Sequence, residues 1–392
     1  MPTRLRHPLV RSRLSSLANR FDRMEWAGAF GDLGTFLPFV IAYISVVRVP
    51  PAGILLSFGL ALVLCGLYYR TPFPVQPMKG IGAIAATQAA KSSLITPATL
   101  YAADLVTGLI WLVLGLTGSA RYVARWVPGI VVSGIVLGLG MSFMLEGIRM
   151  MSADWLIASI GLAGTLLLLA SRAIPVMFLL LLFGAVCTLI QNPSAMSALS
   201  SVRFALHAPA FALASISWRD LLAATALLAL PQLPLTLGNA LIATREENNR
   251  LFPERPVSES SIATSTGLMN LTSSVLGGVP MCHGVGGLAG QVTFGARTGG
   301  APIIFGTLLL VLALGFSDAV QSLFNIFPHA VLGVILFIAG GQLALGCGEL
   351  SRSKVERFVT FITAAFTVWN VGVAFLVGIA LTYLAGRGRL RL

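Results

Sequence analysis

Apolar residues in this chain come in long runs instead of alternating with polar ones. Runs of about 20 apolar residues, long enough to cross a hydrocarbon core as helices, recur along its length, for example at 98–118, 127–145, 161–182 and 301–316. The pattern predicts helical spans at 26–47, 51–69, 74–90, 98–118, 123–147, 152–171, 174–191, 217–243, 257–276, 280–294, 299–316, 320–346, 357–371 and 372–386. Hydropathy is weakest at 257–276, which is rich in Ser and Thr. It is also weak at 280–294, which is short and Gly-rich, and at the last two spans, which must form a short hairpin. The longest polar stretches are the first two dozen residues and Thr244–Ser261, so little is left for a soluble domain.

Composition agrees: 56% of residues are hydrophobic and 10% charged, against about 25% charged in soluble domains. The net charge of +12 could suggest nucleic acid, but its distribution argues against that partner. Six arginines precede Phe30, and Arg387, Arg389 and Arg391 end the chain. The positive-inside rule puts both termini in the cytoplasm, which requires an even number of spans. With fourteen spans, 20 of the 26 Lys and Arg fall on the cytoplasmic side, five fall outside, and Lys79 stays within the membrane. The expected location is the plasma (inner) membrane. The expected order is a basic tail (1–24), a first set of seven spans (25–191), an external linker (192–216), a second set of seven (217–386) and a basic tail (387–392). The basic N-terminus lacks the apolar core of a cleaved signal. Cys65, Cys187, Cys282 and Cys347 form neither a disulfide framework nor a zinc pattern. No catalytic constellation is visible, so neither an enzyme, a cofactor nor a metal site is expected. No filter motif favours a channel.

Spans 3 and 10 carry the functional signal. One reads Phe73-Pro74-Val75-Gln76-Pro77-Met78-Lys79-Gly80-Ile81-Gly82, the other Val279-Pro280-Met281-Cys282-His283-Gly284-Val285-Gly286-Gly287. Proline cannot continue a helix and pushes its predecessor toward extended backbone. Each segment should therefore enter the membrane extended and turn helical near the middle, which is tolerated only inside protein or beside a polar cavity. The two lie seven spans apart, so the second is inverted, and matched breaks of this kind point to a transporter's binding site. A second matched pair is Trp126-Val127-Pro128 and Ile326-Phe327-Pro328. Two half-helix N-termini facing each other would attract an anion. Lys79 is in the first turn of one half-helix and His283 is at the start of the other.

Other polar residues in the spans have two readings each. Asp32 is either a functional intramembrane carboxylate, relaying a proton or pairing with Lys79, or the cap of a helix near the cytoplasmic edge. Gln232 and Asn239, two helical turns apart, share a face and either meet substrate oxygens or bond between helices. His283 either couples protons or makes a structural hydrogen bond. Cys282 marks the break, and Lys79 either charges the site or snorkels. Asp104, Glu146 and Glu259 are given no role.

Three blocks, Gly31–Pro38, Pro231–Ala240 and Pro280–Gln291, resemble the signature blocks of the molybdate transporter family, a branch of the sulfate permease superfamily. The resemblance runs from about Glu25 to Ala385. It implies an all-α integral membrane fold with a seven-plus-seven inverted repeat, shared with sulfate permeases and uracil carriers. A core domain (about 25–118 plus 217–316) would move against a gate domain (about 123–191 plus 320–386). It also implies no C-terminal STAS domain.

The expected activity is import of molybdate by alternating access with cation, first of all proton, coupling through Asp32 or His283. Expected substrate contacts are Thr35, Gln76, Pro77, Met78, Lys79, Gly80, Gln232, Asn239, Cys282, His283 and Gly284. Expected partners are molybdate, with tungstate or sulfate as competitors, the bilayer, and a second copy in a homodimer. Rival readings are sulfate, bicarbonate or nucleobase transport on the same fold, and an anion channel.

Overall fold

The computed structural model describes residues 18–89, 93–123, 128–168, 176–191, 204, 211–320, 327–348, 351 and 353–387. Most of both basic tails and of the linker, together with residues 124–127 and 321–326 of the second proline pair, lie outside the described residues.

Every predicted span contains a helix. In chain order these are α1 (Arg23–Ala29), α2 (Leu33–Ser45), α3 (Pro51–Tyr69), α4 (Lys79–Gln88), α5 (Pro97–Thr117), α6 (Gly129–Met151), α7 (Trp155–Leu168) and α8 (Val176–Gln191). The second half gives α9 (Trp218–Leu251), α10 (Glu259–Leu276), α11 (Val285–Thr293), α12 (Gly300–Gly315), α13 (His329–Leu345), α14 (Lys354–Trp369) and α15 (Val371–Gly386). Among the described residues α3, α5, α6 and α9 are long and apolar enough to cross a membrane unaided, and several others are shorter apolar helices. The first predicted span is thus two helices, α1 and α2, separated at Phe30–Asp32.

Local sequence explains the ends. Pro97 occupies the first turn of α5 and the Thr96 hydroxyl accepts from the Thr99 N–H at 3.2 Å, a combination that suits a helix start. Ser258 does the same for α10 through Ser261. Pro128 and Pro328, both extended, are the N-cap residues of α6 and α13.

The helices assort into two packing groups. In one, α3 lies on α12 and α5 on α10; in the other, α6 packs along α13 and α14, with α7 and α8 against α13. Between α6 and α13 the backbones touch: a side chain on Gly140 would meet the Gly340 carbonyl, and one on Gly147 would meet that of Gly333. Small residues permit this approach in membrane bundles. Between the groups, α4 contacts α6 and α2 contacts α13.

The interrupted spans meet in the middle. Gln76–Pro77 (β1) and Met281–Cys282 (β2) form a two-stranded antiparallel pair, with Gln76 opposite Cys282 and Pro77 opposite Met281. The Met78 N–H donates to the Pro280 carbonyl at 2.8 Å. This pairing satisfies backbone groups that Pro74, Pro77 and Pro280 prevent from forming a helix.

Candidate functional site

α4 begins at Lys79 directly after β1, and α11 begins at Val285 just after β2. Their N-termini are neighbours, and the space between them is partly open: Gly286 is exposed while Lys79 is half-buried. A side chain on Gly286 would lie 3.9 Å from Lys79 Nζ and 4.0 Å from Thr35 Cγ2. The Lys79 ammonium therefore reaches over the first turn of the opposite half-helix. Among the described residues it has no hydrogen bond and no ion-pair partner.

The two half-helices end differently. The N–H groups of Gly80 and Ile81 both donate to Gln232 Oε1, at 2.8 and 3.2 Å. Gln232 Nε2 in turn donates to Thr236 at 2.9 Å. At α11 the N-cap is Gly284, which has no capping side chain. Among the described residues the N–H groups of Val285 and Gly286 have no acceptor. Asn239 Nδ2 flanks this end, 3.2 Å from where a side chain on Gly284 would begin.

Three expectations are corrected by this geometry. Gln232 and Asn239 do not present one face to one ligand: Gln232 turns to α4 and Asn239 to α11. The reason lies in α9, where Pro231 and Pro234 interrupt the hydrogen-bond ladder and π-helical turns at Ala224–Ala229 and Thr236–Ala243 flank them. A π turn advances the register, so seven residues no longer bring side chains back to the same face. The backbone donors expected at Met78 and Gly80 are engaged, by Pro280 and by Gln232, and Pro77 has none to offer. Thr35 turns its methyl toward Gly286, because its hydroxyl donates to Asp32 and accepts from Gln76.

Asp32 holds the N-cap position of α2 without making a cap bond. Its carboxylate instead accepts from Gln76 Nε2 at 2.5 Å and from the Thr35 hydroxyl. No ion pair joins it to Lys79. This triad ties α2 to β1. Gly287 completes it: a side chain there would collide with the Asp32 carboxylate, with Gln76 Nε2 and, at 2.7 Å, with Pro74 Cβ. Gln76 Oε1 faces Gly284 and, although buried, has no donor.

His283 points away from the gap. Its Nδ1 bonds the Pro74 carbonyl and its Nε2 the Ser265 hydroxyl, both at 2.8 Å, and the ring packs on Phe73 and Tyr69. It clamps the break, with both nitrogens engaged. Cys282 is buried within β2.

Several positioning residues were not singled out from the sequence. Asn270 of α10 grips the Met281 backbone from both sides, donating to its carbonyl at 2.7 Å and accepting its N–H at 2.9 Å. Glu25 of α1 accepts the N–H groups of Arg297, Thr298 and Ala301 and so caps α12. The signal for Asn270 was present: Thr266, Asn270, Ser273 and Ser274 follow helical spacing in a poorly hydrophobic span, and all four are buried.

Comparison with known proteins bears on this arrangement. A family model described as "Molybdate transporter of MFS superfamily" matches residues 24–143 and 224–343. The matched blocks are of equal length, one in each half. Molybdate transporter 2 of Arabidopsis thaliana is 30% identical over 393 residues, covering 88% of this chain and 82% of that one. Molybdate transporter 1 of the same plant is 30% identical, covering 93% and 88%.

The chain belongs to the molybdate transporter family.

It is a multi-pass membrane protein of a transporter family, not an enzyme. The resemblance read from the three sequence blocks is borne out. The relative from Chlamydomonas reinhardtii, Molybdate transporter 1, is 28% identical over 91% of this chain and 90% of its own. The backbone also matches solved anion-transporter structures. The transmembrane domain of a cyanobacterial bicarbonate transporter, BicA, aligns with a TM-score of 0.63 over 91% of this chain and 97% of its own, at 16% identity. Murine Solute Carrier 26 family member A9, in the inward-facing state, aligns at 0.69 over 100% of this chain and 73% of its own, at 13% identity. At such identities the likeness shows the fold alone. That fold is a helical membrane domain in which two interrupted spans meet as β1 and β2.

Proposed function

We propose that this molybdate transporter family member imports molybdate by alternating access and binds the oxyanion between the N-termini of α4 and α11. One observation carries the reading: among the described residues, an unpaired ammonium (Lys79 Nζ), two unpaired N–H groups (Val285 and Gly286) and an uncommitted amide (Asn239) converge on one partly open gap. All of these are donors. A tetrahedral dianion accepts from every side, and helix N-termini add about half a positive charge each. Lys79, Asn239, Val285, Gly286 and the Gly284 backbone are the direct contacts. Gln76, Asp32, Thr35, Gln232 and Cys282 position them, and His283 holds the break closed behind them.

Import sets an energetic condition of its own. A dianion entering a negative-inside cell opposes about 2.3 kcal/mol per charge per 100 mV, so accumulation requires a cation to move with it. In this reading both termini lie in the cytoplasm at the plasma membrane and the chain crosses it fourteen times. The α1–α5 and α9–α12 group carries the site past the α6–α8 and α13–α15 group.

Uptake of molybdate into proteoliposomes, with tungstate and sulfate as competitors, tests the proposal. The expected result is saturable uptake that accumulates molybdate when an inward cation gradient is imposed. Absence of uptake, or flux far above carrier rates with no saturation, would overturn it.

A further inference from the structure

One buried charge has no part in that site. Asp104, in the middle of α5, is fully buried at 0% exposure. Its Oδ2 accepts from the Ser273 hydroxyl of α10 at 3.0 Å, and its Oδ1 has no donor. Among the described residues no Lys, Arg or His pairs with it. Two more buried oxygens around it lack partners: the Tyr43 hydroxyl of α2, within electrostatic reach of Asp104, and the Ser57 hydroxyl of α3. The Ser57 and Ser273 hydroxyls converge on Gly278, where an added side chain would strike both. Among the described residues, the titratable side chains within electrostatic reach of Asp104 are Tyr43 from α2 and Tyr101 from α5 itself.

An uncompensated carboxylate at this depth is strongly unfavourable, and so is each orphaned buried oxygen. Water would satisfy the oxygens but leave the charge. A single small cation answers both requirements. The charge of the donor set is that of one carboxylate among hydroxyls, which matches a singly charged ion. No group of three acidic, His or Cys side chains suited to a multivalent metal occurs among the described residues.

The position of Ser273 makes such a cation consequential. Its hydroxyl carries one proton and faces two acceptors, Asp104 Oδ2 and, at 3.2 Å, the Val279 carbonyl. Val279 leads into β2, whose Met281 is gripped by Asn270 one turn earlier on α10. Filling the Asp104 site frees the Ser273 proton for Val279 and so braces β2 and the start of α11. We propose that Asp104, Ser273, Ser57 and Tyr43 form a site for one monovalent cation, a proton or a sodium ion, whose occupancy is coupled to oxyanion binding through Ser273 and Val279. The coupling half of this proposal rests on reading the α4–α11 gap as the substrate site; the cation site itself does not.

The test has two arms on purified full-length protein. Without substrate, the melting temperature is followed as sodium replaces potassium at fixed pH, and as pH falls in sodium-free buffer. Wild type is expected to be stabilised by sodium or by protons, whichever ion fills the site. Asp104→Asn should lose that stabilisation, and Ser57→Ala and Tyr43→Phe, which remove only a hydroxyl, should shift the half-saturating concentration several-fold. With molybdate, wild-type affinity should rise about tenfold as the cation saturates and stay flat in Asp104→Asn. If wild type responds to neither ion, or if all three variants respond as wild type does, the cation site is wrong. A cation response retained with no molybdate binding at all would overturn the substrate-site reading while supporting the Asp104 site.

Discussion

α4 and α11 occupy equivalent places in the two halves, yet they do different work. Both follow a proline-initiated extended segment, and those segments pair as β1 and β2. At α4 the helix end is closed by Gln232, and the charge is delivered by a side chain, Lys79. At α11 no side chain caps the end, and the exposed Gly286 leaves the backbone of the first turn accessible. The symmetric fold thus supplies two positive helix ends, while local sequence makes one a charged arm and the other a bare cradle. A cradle of N–H groups discriminates by geometry, and an ammonium attracts any anion. In the proposed reading, their combination makes one site both strongly attractive and selective.

The largest expected effect removes the packing that brings the two ends together. Gly287→Val would drive a branched side chain into Asp32, Gln76 and Pro74. Molybdate uptake should be abolished, and the melting temperature should fall by the equivalent of about 1–3 kcal/mol. Uptake near the wild-type level would break the claim that α11 must approach Asp32 this closely.

Next in size is Lys79→Ala, which removes the charged arm. Affinity for molybdate should drop about a hundredfold, near 3 kcal/mol at 1.4 kcal/mol per decade, and the remaining binding should lose most of its salt dependence. Calorimetric titration at two ionic strengths reads both. Unchanged affinity would mean that the two half-helices differ in no functional way.

The backbone clamp follows. Asn270→Ala leaves the buried Met281 N–H and carbonyl without partners, which should destabilise the protein by about 1–3 kcal/mol. Thermal unfolding in detergent measures it. Gln232→Ala sharpens the comparison from the other side, because it uncaps α4 and makes it resemble α11. Loss of a cap predicts destabilisation of about 1 kcal/mol, with affinity reduced only a few-fold since the freed Gly80 N–H becomes available to the anion. Loss as large as that of Lys79→Ala would show that Gln232 contacts substrate directly.

The smallest effect concerns His283. With both ring nitrogens engaged, His283→Gln should reduce stability and leave the pH profile of uptake unshifted. A displaced profile would return His283 to the coupling role expected from its sequence position.

The helical spans and the two breaks were legible because proline, glycine and hydropathy act locally. Pro74, Pro77 and Pro280 forbid a continuous helix wherever they fall, so the extended entries could be read in one dimension. The placement of Lys79 was legible for a related reason: it comes two residues after Pro77 and so falls in the first turn of the half-helix. Gln232 and Asn239 were misassigned to one face because the π turns of α9 depend on how two prolines are accommodated in three dimensions. His283 sat at the right place in the chain, but its ring direction is decided by Ser265 and by the Pro74 carbonyl, 209 residues away in sequence. Asn270 was hidden by scale, because hydropathy averages over a span and dilutes the polar stripe of α10 to which it belongs; Asp104 was visible but drew no role until Ser273 of that stripe was seen to reach it.

Locating a heavy oxyanion bears on the central claim most directly. Tungstate has the shape and charge of molybdate, and tungsten scatters strongly and anomalously. A tungstate-bound structure should show a single strong peak between Lys79 Nζ and the N–H groups of Val285 and Gly286, with Asn239 alongside. A peak elsewhere, or none at a tungstate concentration that blocks molybdate uptake, would contradict the account.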